Sequence, residues 1–411
     1  MLTVNAESQG LLRVAEPAAK EAAAMSSVAI SAWVAQNIEE VEAIWRDLAG
    51  GSIESPGQSY DFIRTWVGER HLGADEQHYV VGLVDGRPLA LWPLHRKRLR
   101  GISVFTWFPG SHVGCNAPLV DHERLAALGS DGRARLWRTM AGQLHGADLL
   151  YFPFMPAVPD GRENPFAELG TILPVETLYR AEFGSWEECD KVQRSRSRRK
   201  HDRQQGDRLA ALGAVRFEEV SDPVEAHKAL DVMFRQRSAR FREQGIRDVF
   251  VADCLTGFYH AALRAGSGID VRLHVLRLDG EIVAVRYNIV HGARMFCLIS
   301  SMSDDPHIQS GSPGKQCLLH VMQTIFDTGF TSFDMGAGFT DEKRHWCNVQ
   351  VPLQHHYVGL NRRGLLLAAG HRSFQRFRRW AKANPGLKKG LRGFQNAVER
   401  LRGAAPASDQ L

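Results

Sequence analysis

Apolar positions recur with period two in two stretches that share one turn. In "HYVVGLVDGRPLALWPLHRK" (His78 to Lys97), β-like runs flank Asp85-Gly86, and Asp-Gly between alternating apolar runs is a strong hairpin signal. In "RLHVLRLDGEIVAVRYNIVHGARMFCLIS" (Arg272 to Ser300), Asp279-Gly280 repeats the device. His291-Gly292 then marks a second turn, so a three-stranded meander is expected there. The period changes in "SPGKQCLLHVMQTIFDTG", where Leu318, Val321, Met322 and Ile325 recur at helical spacing. Ser312 suits the cap of that helix, Pro313 its first position and Gly329 its end. A strand, "FTSFDM", follows.

The first half has the same shape. "RARLWRTMAGQLHGADLLYFPF" reads as helix, glycine at Gly146, then strand. The Asp-Gly turns lie 194 residues apart, and Gly146 and Gly329 lie 183 apart. Two copies of one β-β-β-α-β unit are therefore predicted, the first with a loop longer by 11 residues. Chance likeness of two hairpin-then-helix stretches is the competing account. Aligned on the glycines, Asp334 of copy two falls opposite Tyr151 of copy one, which runs on into "FMPAVPD". That continuation lacks the Gly-x-Gly and the lysine of "FDMGAGFTDEKRHW", so the second copy is expected to carry any chemistry. The first then serves as support or as part of a substrate cleft.

Composition adds bounds. The 411 residues suit two or three domains, and 44% hydrophobic with 24% charged residues is ordinary for a globular chain. No run of about 18 apolar residues predicts a membrane span. Residues 1–27 read as an Ala-rich leader without the unbroken apolar core of an export signal. Six scattered cysteines form no C-x-x-C pair, which points to free thiols in a reducing cytoplasm. His355-His356 sits in β-like sequence, where neighbours face opposite ways, so no metal site is expected. The net charge of +5 is uneven: residues 361–403 hold twelve Lys/Arg against Glu399 alone, leaving the rest mildly acidic. In that tail Phe374, Phe377 and Trp380 recur among arginines, and Leu387, Leu391, Phe394, Val398 and Leu401 follow at helical spacing. Two short basic amphipathic helices result, suited either to docking on the second domain or to an anionic membrane over 371–402.

Four segments in order carry a family resemblance: "RSRSRRKHDRQQGDRLAALGAVRFEEVSDP" (Arg194 to Pro223), "VLRLDGEIVAV" (Val275 to Val285), "SPGKQCLLHVM" (Ser312 to Met322) and "FDMGAGFTDEKRHW" (Phe333 to Trp346). Together they resemble the CelD-like acetyltransferases, named after a cellulose-biosynthesis protein, which belong to the GNAT superfamily and are akin to Fem-type aminoacyl transferases. Where that family has a tyrosine before its lysine, this chain has Glu342. The resemblance implies an α/β fold: tandem duplicated GNAT-like domains with mixed central sheets and a basic helical tail. The expected divisions are a leader over 1–27, a degenerate domain over 28–185, a catalytic domain over 186–360 and the tail over 361–411.

The implied activity is transfer of an acetyl or longer acyl group from acyl-CoA to an amine or hydroxyl, with a sugar of polysaccharide or envelope synthesis as acceptor. The alternatives are aminoacyl transfer from charged tRNA, with Arg194–Arg208 as the contact, or a non-catalytic module that binds a glycan or a partner. Read from the residues, the Ser312 helix start is either an ordinary capped helix or a pyrophosphate site with Gly311, Ser312, Gly314 and Lys315 around it; the resemblance adds Gln309, since Gln309 to Gly314 partly fits the superfamily's R/Q-x-x-G-x-G/A loop. Asp334 is either a general base or a turn cap, and Lys343 either an oxyanion partner or a solvated loop lysine. A strand-edge N–H within 297–303 is expected to polarise the acyl carbonyl. Gly336 and Gly338 suit a tight turn beside substrate. Trp346 is a candidate substrate contact that equally suits packing. In this fold Tyr287 and His291 can face the acceptor, although alone they read as a core tyrosine and a turn histidine.

Overall fold

The computed structural model describes residues 28–383, apart from 51–52, 100, 158–163 and 246. The leader and the second tail segment expected from sequence lie outside the described residues.

Among the described residues, thirteen strands form one continuous mixed sheet. In the first copy these are β1 (Ile30–Ala35), β2 (Gln77–Val84), β3 (Arg87–Leu99), β4 (Ile102–Trp107), β5 (Leu119–Val120), β6 (Leu149–Pro156) and β7 (Thr171–Glu182). In the second they are β8 (Val215–Glu219), β9 (Asp270–Leu278), β10 (Glu281–His291), β11 (Arg294–Met302), β12 (Ser332–Ala337) and β13 (Val349–Gly359). Both Asp-Gly turns form: Asp85 and Gly86 take φ of 50° and 75°, Asp279 and Gly280 of 49° and 87°. Two left-handed residues in succession match the strand twist, which is why Asp-Gly closes these two-residue hairpins.

The duplication is visible in the pairing. Each meander runs antiparallel, then a helix, Gly129–Gly142 or Pro313–Asp327, crosses to a parallel strand. β4 pairs with β6 in parallel, and β11 with β12. Each crossover helix buries one apolar face on its own half of the sheet: Leu136, Trp137 and Met140 in the first, Leu318, Val321, Met322 and Ile325 in the second. Complete burial of one such side chain contributes about 1.5–3 kcal/mol.

The last strands are exchanged. β7 of the first copy pairs with β12 of the second, β13 of the second pairs with β6 of the first, and β7 pairs with β13. The two sheets expected from sequence are thus fused into one, with the seam at β7–β13. On one face a single core spans both copies, joining Trp45, Tyr60 and Phe62 to Leu230, Phe258 and Tyr259. The Phe62 and Phe258 ring centroids lie 4.9 Å apart. Both copies therefore contribute walls to whatever opens at the seam.

Candidate acyl-transfer cleft

β11 and β12 pair only from Arg294↔Ser332 to Phe296↔Asp334. Beyond that point both strands carry irregularities. On β11, Tyr287 pairs with Ile299 but Asn288 with Cys297, which leaves Leu298 as a bulge. On β12, the register against β7 slips between Asp334 and Ala337. Bulges bend strands and free backbone groups from the ladder. A cavity of about 230 Å³ opens between them, lined by His112, Cys297, Leu298, Asp334, Gly336 and Lys343 among others. Gly336 and Gly338 take φ of 78° and 86°, so the chain turns sharply beside it. The bulge at Leu298 falls within the stretch expected to offer a strand-edge N–H.

Lys343 stands on the short helix Asp341–Trp346, capped by the Thr340 hydroxyl. Its Nζ donates to the carbonyls of Gly336 at 3.1 Å and Ala337 at 2.6 Å. An ammonium has three protons, so one is left to point at a substrate oxygen. Burial lowers the Lys343 pKa, against the pull of Asp334.

Asp334 lines the cavity but its oxygens are committed. Oδ2 accepts from Arg180 Nε at 2.8 Å, and Oδ1 from the Gly336 N–H at 2.7 Å. Arg180 Nη2 also bonds Glu54 Oε2 at 2.5 Å. All three side chains are almost wholly buried. Burial alone would lower the Arg180 pKa, but the carboxylates of Asp334 and Glu54 raise it on balance. The expected base is therefore half of a buried ion pair that anchors the glycine turn, and of the two readings of Asp334 the turn cap is the one observed.

Other expected site residues fall elsewhere. Tyr287 is wholly buried in the core shared by both copies, with its ring edge-on to Tyr259 at 5.1 Å. Strand alternation puts it on the face opposite Arg286, and it is not among the residues that line the cleft. Trp346 is buried against Trp186, centroids 6.1 Å apart, and supports the lysine helix from beneath. His291 opens onto a different cavity of about 500 Å³, beside Trp45, Tyr60 and Asp270. His355 and His356 serve the fold: His355 Nδ1 accepts from the Phe154 N–H, and His356 Nδ1 donates to the Leu169 carbonyl.

The loop before the Pro313–Asp327 helix is only in part as expected. Ser312 does not cap through its side chain; it takes φ of 52°, and its carbonyl accepts from the N–H groups of Lys315 and Gln316. Gln309 Nε2 braces the loop on the Ser303 carbonyl. Gly311 is small for packing: an added Cβ would lie 2.8 Å from Leu209 Cβ, on the helix Arg196–Ala210. Gly314 and the half-buried Lys315 are left to face an anion at the helix start. The Arg196–Ala210 helix beside it buries Asp202, Gln205 and Leu209 and exposes Arg196, Arg199, Lys200, Arg203 and Arg208. Gln316 Nε2 ties the two helices by donating to the Asp202 carbonyl at 2.9 Å.

Four site residues escaped the sequence reading: Glu54, His112, Arg180 and Arg286. Arg286 is buried and donates to the Gly314 carbonyl at 3.1 Å and to Glu342 Oε2 at 3.3 Å. It thereby links the helix start to the lysine helix, and Glu342 is its counter-ion. A charge inside the apolar run "VAVRYNIV" was the available signal for Arg286. His112 and Glu54 lie on loops of the first copy, and only the fold brings them here.

Comparison with known proteins bears on the fold. Residues 196–344 match the family model described as an acetyltransferase (GNAT) domain. No curated protein matches the chain. Among solved structures, the C-terminal domain of a protein described as a lysylphosphatidylglycerol synthetase, from Agrobacterium fabrum, is similar at a TM-score of 0.50 and 14% identity, over 81% of this chain and 95% of that one. FemX is similar at a TM-score of 0.49 and 10% identity, over 78% and 95%. A tandem GNAT protein from the clavulanic acid pathway is similar at 0.41 and 13%, over 81% and 98%. At these identities the first likeness is one of fold alone. Residues 196–344 thus match a GNAT-type acetyltransferase domain, set within a mixed α/β chain.

Proposed function

We propose that this chain is an acyltransferase that moves an acetyl or longer acyl group from acyl-CoA to an amine or hydroxyl. The observation that carries the reading is the divergence of two bulged parallel strands beside Lys343. The thioester lies between Leu298 and Gly336, its carbonyl oxygen facing a bulge N–H and the Lys343 ammonium. The diphosphate meets the Gly314 N–H and Lys315, where a helix start favours negative charge. Attack on the thioester is direct, with charge developing on the oxygen that Lys343 faces. The acceptor is a sugar of polysaccharide or envelope synthesis, as the CelD-like resemblance implies, and the reaction is cytoplasmic.

A second donor, aminoacyl-tRNA, has one observation in its favour: the exposed cations of the Arg196–Ala210 helix flank the helix start. Calorimetric titration with acetyl-CoA, repeated on Gly314→Glu, separates the two. The acyl-CoA reading expects saturable binding, weakened at least about tenfold, or about 1.4 kcal/mol, by a carboxylate where the diphosphate sits. Absence of binding to any acyl-CoA would discard it in favour of charged tRNA.

We also infer peripheral contact with an anionic membrane through the helix Arg362–Ala383. Its Leu365, Leu366, Phe374, Phe377 and Trp380 are more than half exposed, among Arg362, Arg363, Arg376, Arg378 and Arg379. Apolar and basic residues on one exposed helix suit the headgroup boundary of an anionic bilayer. No helix among the described residues is long and apolar enough to cross a membrane.

A further inference from the structure

With Asp334 held by Arg180, proton removal from the acceptor needs another group, and one enters the cleft from the first copy. After β4 the chain makes a single 3-10 turn, Gly110–Val113, and then Gly114 at φ 80°. An added Cβ at Gly114 would lie 3.3 Å from the Gly336 Cα, so this loop backs directly onto the glycine turn of the second copy. His112 and Val113 thereby line the same cavity as Lys343, Cys297 and Leu298. The His112 ring is half-buried and lies against Trp66, centroids 5.9 Å apart. Among the described residues neither ring nitrogen is engaged in a hydrogen bond. The imidazole is thus placed by packing, with both nitrogens available.

We propose that His112, supplied by the copy that lacks the lysine loop, is the general base of the acyl transfer carried out by the other copy. The proposal rests on the acyl-CoA reading above. The acceptor's N–H or O–H gives its proton to the imidazole as the new acyl–nitrogen or acyl–oxygen bond forms. The carbon–sulfur bond breaks, and the thiolate of CoA takes the proton from the imidazolium. No further reactant is needed.

The surroundings favour a neutral ring at pH 7. Burial lowers the His112 pKa; Asp253 opposes this, while Lys97 and Arg70 add to it. Lys343 and Asp334 line the same cavity, the latter paired with Arg180, while the charges that act on the ring are those of Asp253, Lys97 and Arg70. The first copy's role is therefore chemical as well as structural.

The test compares the full-length protein with His112→Gln and His112→Ala, reading thiol release from acetyl-CoA with glucosamine as acceptor across pH 5–9. General-base assistance is worth about 10²–10⁴-fold, so kcat/KM falls by that factor in both variants. Acetyl-CoA binding by calorimetry stays within about twofold, and the acidic limb that His112 contributes disappears. The acceptor's own titration is common to all three proteins and cancels in the comparison. Added imidazole restores part of the rate in His112→Ala. An active wild type with unchanged variants would overturn the base assignment alone. A wild type that binds acetyl-CoA yet releases no thiol would overturn the base assignment while leaving donor binding in place, and one that binds no acyl-CoA would overturn both.

Discussion

Arg180 is where the two copies are held together at the scale of a single residue. It sits on β7, an exchanged strand, and pairs with Glu54 of its own copy and Asp334 of the other. Removing one partner of a buried ion pair leaves an uncompensated charge and costs about 3–5 kcal/mol. Arg180→Leu is therefore expected to lower the unfolding free energy by that amount in urea titrations. The loss should be much smaller when Glu54→Gln and Asp334→Asn are already present, since no carboxylate is then stranded. A loss below about 1 kcal/mol in the otherwise unaltered protein would show that the pair does not carry the seam. Sequence reading singled out Asp334 and Lys343 because each stands in a motif. It could not see that Asp334 is spent on Arg180, since the two are 154 positions apart and meet only through strand exchange.

Elements were more legible than contacts, because hairpins, meanders and crossover helices are written in local periodicity. The Asp-Gly turns, the Pro313 helix and the strand at Ser332 all form close to where the pattern puts them. The exchange of β7 and β13 has no local signature: only the segment around His355-His356 reads as β-like, and neither segment names its partner. The helix Arg362–Ala383 shows the same division. Its amphipathic spacing is legible, and the structure adds that Ala368 packs towards β13 and β6 while the aromatic side faces out. Replacing Phe377 and Leu366 by glutamate removes apolar area and adds charge that anionic lipid repels, without touching the buried side. Flotation with vesicles containing phosphatidylserine should bring up the native protein and not this variant, and neutral vesicles should bring up neither. Equal flotation of the two proteins would exclude this helix as the contact.

At the scale of the whole molecule, buried histidines tie stability to pH. His78, His274 and His356 are pushed down to about 4, and His355 to about 3, in each case chiefly by burial. Below pH 6.5 the unfolded chain binds protons at these sites and the folded chain does not. Stability is accordingly lost as pH falls from 6.5 towards 4, by about 1.4 kcal/mol per pH unit for each such histidine. Urea midpoints measured across that window should fall steeply, and His356→Gln, which keeps a donor for the Leu169 carbonyl, should remove about one proton from the slope. A flat profile would contradict the burial of these rings. The strand exchange that buries His355 and His356 against the first copy also brings His112 of that copy to a cavity whose lysine and bulged strands come from the second.

The location of the donor decides whether this cleft is a site of acyl transfer. The most direct measurement is a crystal structure of the protein with acetyl-CoA. The thioester should lie between Leu298 and Gly336, its oxygen within hydrogen-bond reach of Lys343, with the diphosphate on the Gly314 N–H. Acetyl-CoA bound elsewhere, or a cleft that excludes it at saturating concentration, would contradict acyl transfer at this cleft.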